Sequence, residues 1–191
     1  MAHHTELIRK LTILNEITET LNQAEDITGA LSDALQRLVS LMGLETGWIF
    51  LVDPAAKNRW FGRGFTLAAQ YNLPPAMGLD KPRVWKGDCA CQGLCNKGQL
   101  NRAYNEVRCT RLSRAGGDRY GLLVHASTPL RSGSRTLGIL NVAAADWDDF
   151  SPEALAVLTN AGSQMGIALE RARLVDMLQE QRVHEQAVCD E

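Results

Sequence analysis

Four cysteines, Cys89, Cys91, Cys95 and Cys109, fall within twenty-one residues of a 191-residue chain. They lie in a stretch, Ala69 to Arg119, where hydrophobic periodicity fades and Pro74, Pro75, Pro82 and six glycines interrupt the chain. A loop region this long inside a compact domain is functional or disordered. Any fold must therefore be built from the flanks and must hold this stretch against them. A fifth cysteine, Cys189, stands apart in the polar tail and reads as an incidental free thiol. The opening MAHHTELIRK lacks the apolar stretch of a secretory signal, and its pair His3-His4 is given no role. The expected compartment is cytoplasmic and reducing, which favours metal or redox chemistry over a disulfide framework.

The flanks are regular. Leu7, Leu11, Leu14, Ile17 and Leu21 recur at three- and four-residue steps, as do Leu31, Leu35, Leu38 and Leu41, so two helices are expected before a capping Gly43. Gly47 to Val52 is a short apolar run suited to a central strand. Asp53-Pro54 ends it, and Arg59 to Phe65 is its expected hairpin partner. Within the irregular stretch, Gly98 to Tyr104 is expected to hold a helical turn or two. Strand signals resume at Tyr120 to Leu130 and Thr136 to Ala143, an antiparallel hairpin broken by Gly133. Ser151-Pro152-Glu153 then reads as a helix start. Leu155, Leu158, Gly162, Met165, Leu169 and Ala172 form a seam, and the pattern persists through Val175 and Leu178 to Arg182. A helix that long should project beyond the domain, and projecting helices usually pair. The order of elements predicts an α+β fold with an antiparallel sheet.

Composition limits the alternatives. At 191 residues, 45% hydrophobic and 22% charged, the chain suits one domain with an ample core. Its net charge of −2 points to neither nucleic acid nor membrane, and no run approaches the ~18 apolar residues of a membrane span. That near-neutrality conceals an imbalance. Lys81, Arg83, Lys86, Lys97, Arg102, Arg108, Arg111, Arg114 and Arg119 face only Asp88, Glu106 and Asp118, so this window carries +6 and the remainder −8. Aromatic interleaving there is thin, which argues against a nucleic-acid site. No Ser-His-Asp order, phosphate loop or paired carboxylates stand out, so no enzyme is expected.

The helix ITGALSDALQRLVSLMG, the strand TGWIFLVD, the hairpin HASTPLRSGSRTLGILNVAA and the closing FSPEALAVLTNAGSQMGIALERARL together resemble a GAF domain over roughly Asp26 to Leu174. The resemblance implies a sheet of about six antiparallel strands with helices on one face and long terminal helices. It divides the chain into an N-terminal helix (1–22), a sensor domain (23–174) and a C-terminal signalling or dimerisation helix and tail (175–191). It also implies a homodimer through the terminal helices and a histidine kinase output domain in cis or in trans. No phospho-acceptor or ATP-binding motif is visible in the 191 residues, so either a fragment of a sensor kinase or a stand-alone sensor is expected.

The cysteine spacing is C-x-C-x3-C-x13-C. Thiolates are soft ligands, and four complete a Zn(Cys)4 site or an iron–sulfur cluster. The cations of the same window would stabilise the net −2 of such a centre. Structural zinc favours two C-x2-C-like pairs, and this chain has neither. Some cysteine-bearing GAF domains of bacterial sensor kinases carry iron–sulfur clusters that respond to oxygen or oxidation. Spacing and resemblance together therefore favour a [2Fe-2S] or [4Fe-4S] cluster on Cys89, Cys91, Cys95 and Cys109. Three alternatives stay open: zinc stapling a dimerisation module, a small anion or metabolite among the cations, and a thiol–disulfide switch such as Cys91 with Cys95. His125 is a minor ligand candidate, more readily a satisfied core or surface histidine. Trp48, Trp60 and Trp147 read as packing residues, and Trp85 as packing or as a cofactor shield.

Overall fold

The computed structural model describes residues 2–23, 26–56, 60–105 and 108–189. Helix α1 (Ala2–Gln23) is followed by α2 (Ile27–Leu41). Asp26 caps α2, its carboxylate accepting from Thr28 N at 2.9 Å and Gly29 N at 3.0 Å. Such a cap contributes about 1 kcal/mol. Gly43, with φ 69°, takes the left-handed position just after the helix, the place where a side chain would be strained.

Strands β1 (Thr46–Val52), β2 (Phe65–Tyr71), β3 (Val124–Ser132) and β4 (Arg135–Ala144) form one antiparallel sheet in the order β2-β1-β4-β3. The described residues thus hold four strands, where about six were expected. The shortfall lies between β2 and β3, where prolines and left-handed glycines break the extended backbone that a ladder needs. This segment instead folds into a 3-10 turn (75–77) and short helices α3 (Pro82–Trp85), α4 (Ala90–Asn96) and α5 (Thr110–Arg114). It adds to the sheet a single bridge between Tyr104 and Ser127, on the outer edge of β3. The expected partner of β1 also shifts. Gly62 and Gly64, at φ 98° and 77°, turn the chain first, and pairing begins at Val52 with Phe65. The helical turn expected over 98–104 falls instead at Ala90–Asn96, and Gly98 at φ 67° follows its end.

Alternation along the strands gives the sheet two apolar faces. On one, Ile49, Ala126, Leu130, Leu140 and Val142 pack against α1, α2 and α6 (Pro152–Cys189) through Ile17, Leu31, Leu35, Leu38, Leu158 and Met165. On the other, Trp48, Phe50, Phe65, Ile139 and Ala143 lie beneath Met77, Val84, Trp85, Leu112 and Leu122, with Cys89, Cys91 and Cys109 in the same cluster. The long helices therefore share one face, as expected, while the irregular stretch roofs the other.

Helix α6 opens as its sequence predicts, with Ala154 N donating to Ser151 Oγ at 3.2 Å. Its 38 residues span about 57 Å at the helical rise. Val157, Leu158, Ala161, Met165 and Ala168 are buried, whereas Leu174, Val175, Met177, Leu178 and Val183 are exposed. Gly162 and Gly166 let its backbone approach β3: a Cβ on Gly162 would stand 2.6 Å from Pro129 O, and one on Gly166 2.3 Å from Arg131 N. No helix among the described residues is long and apolar enough to cross a membrane. The side chain of Cys189 lies outside the described residues.

Candidate functional site

The cysteine wall is organised around a buried arginine. Arg111 is 1% exposed. Its Nη1 donates to Val84 O at 2.9 Å and to Trp85 O. Its Nη2 donates to Gly87 O at 3.0 Å, Gln92 Oε1 at 3.2 Å and Phe61 O at 3.4 Å. The guanidinium also lies 5.5 Å from the Phe50 ring centre and 5.6 Å from that of Trp85. It thereby ties together loop segments that have no ladder of their own. Among the described residues no carboxylate pairs with it, and its Nε lacks a partner. A buried cation without an anion is costly.

Two of the cysteines, Cys89 and Cys109, lie near enough to feel its charge. Cys89 is the N-cap of α4, and its N–H donates to Gln92 Oε1 at 3.1 Å, the same oxygen that accepts from Arg111. Cys91 and Cys95 follow within the helix. Cys109 caps α5, its Sγ accepting from Leu112 N at 3.4 Å. Ala90 N donates to Thr110 Oγ1 at 3.1 Å, which joins the starts of the two helices. The Cys89 and Cys91 sulfurs lie 2.9 Å apart. Cys89, Cys91 and Cys109 are buried and Cys95 half-buried.

Their acidities diverge. The hydrogen bond from Cys91, helped by the Arg111 charge, outweighs burial and brings Cys89 down to about 7. The same hydrogen bond holds the Cys91 proton, and with burial it raises that thiol well above its ordinary value, a hydrogen bond with Ser127 opposing. Burial, then the Cys89 charge, pushes Cys95 up to about 11. Burial pushes Cys109 up to about 12. Cys89 is thus the one thiol of the four held near neutrality, and a nucleophile or ligand must be a thiolate.

The four thiols share one wall but are not gathered. Among the described residues no three or more His, Cys, Asp or Glu side chains stand together as a metal-binding group. His125 is 3% exposed, and burial lowers it to about 4, so it is neutral. Its Nδ1 lacks a partner, so it is a core histidine but not the satisfied one expected. Trp85 packs against Trp48, Phe50 and Phe61 at 6.0, 6.3 and 5.9 Å, its Nε1 donating to Met77 O and Gly78 O. Trp48 is buried as expected. Trp147 is not: it is 45% exposed and lines an open cleft of about 390 Å³ with Arg108, Cys109, Arg119 and Leu123. Sequence reasoning missed Gln92 altogether, and it counted Arg111 as one cation of nine. Nothing local sets Arg111 apart, since its partners lie on other segments.

An antiparallel sheet with long helices on one face and a roof of short helices and turns on the other is the architecture of a GAF fold. The chain belongs to the GAF domain family, whose sequence pattern matches residues 24–170. It is 38% identical over 177 residues to the sensor histidine kinase YhcY of Bacillus subtilis (strain 168), covering 90% of this chain and 45% of that protein. The chain therefore spans less than half the length of that relative. The GAF domain of a phosphoenolpyruvate-protein phosphotransferase from Coxiella burnetii shares the fold at TM-score 0.64 and 17% identity, covering 89% of this chain and 98% of that one. So does a free methionine-R-sulfoxide reductase from Neisseria meningitidis solved with its substrate, at TM-score 0.60 and 16% identity over 87% and 91%. The fold alone therefore does not restrict this chain to sensing.

Proposed function

We propose that this chain is the sensory module of a bacterial sensor histidine kinase, and that Cys89, Cys91, Cys95 and Cys109 hold an iron–sulfur cluster whose oxidation or loss is the signal. The kinase assignment rests on the likeness to YhcY. The carrying observation for the cluster is Arg111, a buried cation with no carboxylate partner whose charge reaches Cys89 and Cys109, in the same wall that holds Cys91 and Cys95. Four cysteinates around a two-plus cluster leave a net −2, the charge such a cation compensates. When bound, the cluster supplies a redox couple whose potential depends on net charge, hydrogen bonding and burial. The protein supplies those three: Arg111 the charge, Leu112 N–H a hydrogen bond to Cys109, and Trp48, Phe50 and Trp85 the exclusion of water. The thiols stand ungathered, so loading must draw them together.

Cys91 lies near enough to Ser127 of β3 for its hydroxyl to act on the thiol, and β3 lies directly against α6. Movement of α4 thus has a short route to the projecting helix. There Ile167, Leu174 and Leu178, spaced by seven and four residues, expose an apolar stripe suited to a second copy of the chain. The test is elemental. Anaerobically purified protein should contain iron and acid-labile sulfide and be brown. Colourless protein carrying one zinc per chain overturns the proposal.

One observation favours a second reading, a small carboxylate or phosphate ligand. Arg108 and Arg119 flank the cleft that also exposes Trp147 and Leu123. Saturable benzoate binding that survives Cys89→Ser and is lost in Arg119→Ala supports it.

A further inference from the structure

The closest chemical relation in the wall is between Cys89 and Cys91, whose sulfurs are 2.9 Å apart. A disulfide is about 2.05 Å long, so bonding needs less than about 1 Å of further approach. The two residues occupy the N-cap and second helical position of α4, where the cap's extended backbone (φ −118°, ψ 167°) brings its side chain back over the first turn. Gln92 Oε1 accepts from both Cys89 N–H and Arg111, at 3.1 and 3.2 Å, which places the buried guanidinium one side chain away from Cys89. A cation beside one member of a thiol pair favours that member as the attacking thiolate.

We propose that, in protein free of any cluster, Cys89 and Cys91 form a dithiol that a hydroperoxide converts to an intramolecular disulfide, so that the start of α4 is a redox-modification site in its own right. The Cys89 thiolate attacks the terminal peroxide oxygen. The O–O bond breaks, an S–O bond forms, sulfur loses two electrons, and the hydroperoxide leaves as an alcohol, or as water from hydrogen peroxide. The Cys91 sulfur then attacks Cys89 Sγ. An S–S bond forms, the S–O bond breaks, and hydroxide departs as water with the proton from Cys91. The sum is two thiols and one hydroperoxide giving one disulfide, one alcohol and one water. A dithiol reductant reverses it. The closed ring constrains the first turn of α4, where Gln92 also donates to Phe61 O and links Cys89 to Arg111. The roof over β1 and β4 is thus tied to the oxidation state of the pair. This goes beyond the cluster proposal, because it concerns the chain without iron.

The experiment uses the whole chain, stripped of iron and reduced, then exposed to hydrogen peroxide, the smallest hydroperoxide, because the two residues are only 6% and 5% exposed. Free thiols are alkylated and the protein is cut with trypsin. Residues 87–97 form one peptide carrying Cys89, Cys91 and Cys95. In wild type this peptide should be lighter by two hydrogens and carry one alkyl group, and dithiothreitol should restore three. Cys95→Ser and Cys109→Ser should still form the bond. In Cys91→Ser the oxidised Cys89 should instead be trapped as a dimedone adduct. Peroxide-treated Cys95→Ser protein in which Cys89 and Cys91 both remain alkylatable overturns the inference, as does a wild-type bond mapping to Cys91 and Cys95. Iron and sulfide are assayed separately on untreated protein. Iron-bearing protein whose stripped form makes no disulfide defeats this inference and leaves the cluster standing; iron-free protein that makes the disulfide does the reverse.

Discussion

Arg111 is the residue on which the irregular half of the molecule depends. Its guanidinium is the shared donor to carbonyls at Phe61, Val84, Trp85 and Gly87. Arg111→Ala takes this donor from the buried carbonyls of Val84, Trp85 and Gly87, while Phe61 O keeps Gln92, and should cost about 3–5 kcal/mol, read as a fall in the urea midpoint. Arg111→Lys should rescue little, because an ammonium cannot reproduce the planar fork. His125 gives a second residue-scale prediction, with its sign set by burial. Its value falls from an ordinary 6.5 to about 4 in the fold. Between those pH values the unfolded chain binds the proton and the folded chain does not. Stability is therefore intact above pH 6.5 and lost as pH falls toward 4, by an amount on the order of 3 kcal/mol. Urea titrations at pH 7 and pH 5 should show about 2 kcal/mol of this loss, since pH 5 lies about 1.5 units below the unfolded value at about 1.36 kcal/mol per unit, and His125→Asn should shrink it. Neither role was legible locally. Arg111 is one of nine cations in its window, and alternation placed His125 on a strand without showing which face was roofed.

At the scale of elements, the contact between α6 and β3 is set by what is missing. Helix α6 lies so close to β3 that Cβ atoms on Gly162 and Gly166 would strike backbone atoms of Pro129 and Arg131. Gly166→Ala tests this. Alanine favours a helix by about 1 kcal/mol over glycine, but the collision is with main chain, which cannot rotate away. Overpacking costs about 1–3 kcal/mol, so the net effect should be destabilising. The melting temperature should fall by several degrees, at roughly 2–4 °C per kcal/mol; a rise would show that the strand yields freely. Long elements were legible because their signals are local: the leucines of α2 recur at three- and four-residue steps, the apolar run of β1 is continuous, and the Ser151 cap directly precedes its helix. Short elements were not. Helix α4, with seven residues, has too few turns for a period to show, and it formed eight residues earlier than expected.

For the molecule as a whole, one sheet separates two unlike halves. Three long helices cover one face, and a roof of turns and short helices, carrying the cysteines, covers the other. A signal passing from the roof to the long helices must cross the sheet, and β4 meets both, with Ile139 and Ala143 under the roof and Leu140 and Val142 toward the helices. Helix α6 leaves the domain with Leu174, Val175, Met177 and Leu178 exposed, 44–58% each. A pair of such helices should make the protein a dimer by sedimentation velocity, and Leu174→Lys with Leu178→Lys should make it monomeric without lowering the melting temperature of the core. A wild-type monomer at high concentration would remove the terminal helices from the signalling route. By itself the sequence determined the long helices, the hairpin of β3 and β4, the α+β class, and the concentration of thiols and positive charge in one window. These follow from spacing along the chain, and spacing is local. Tertiary structure alone decided that the sheet has four strands among the described residues, that Arg111 is the cation taken inside, that Gln92 links it to Cys89, and that Cys89 and Cys91 are the pair in contact. Each is a choice among chemically similar residues, settled by which distant backbone groups the fold brings within hydrogen-bonding reach.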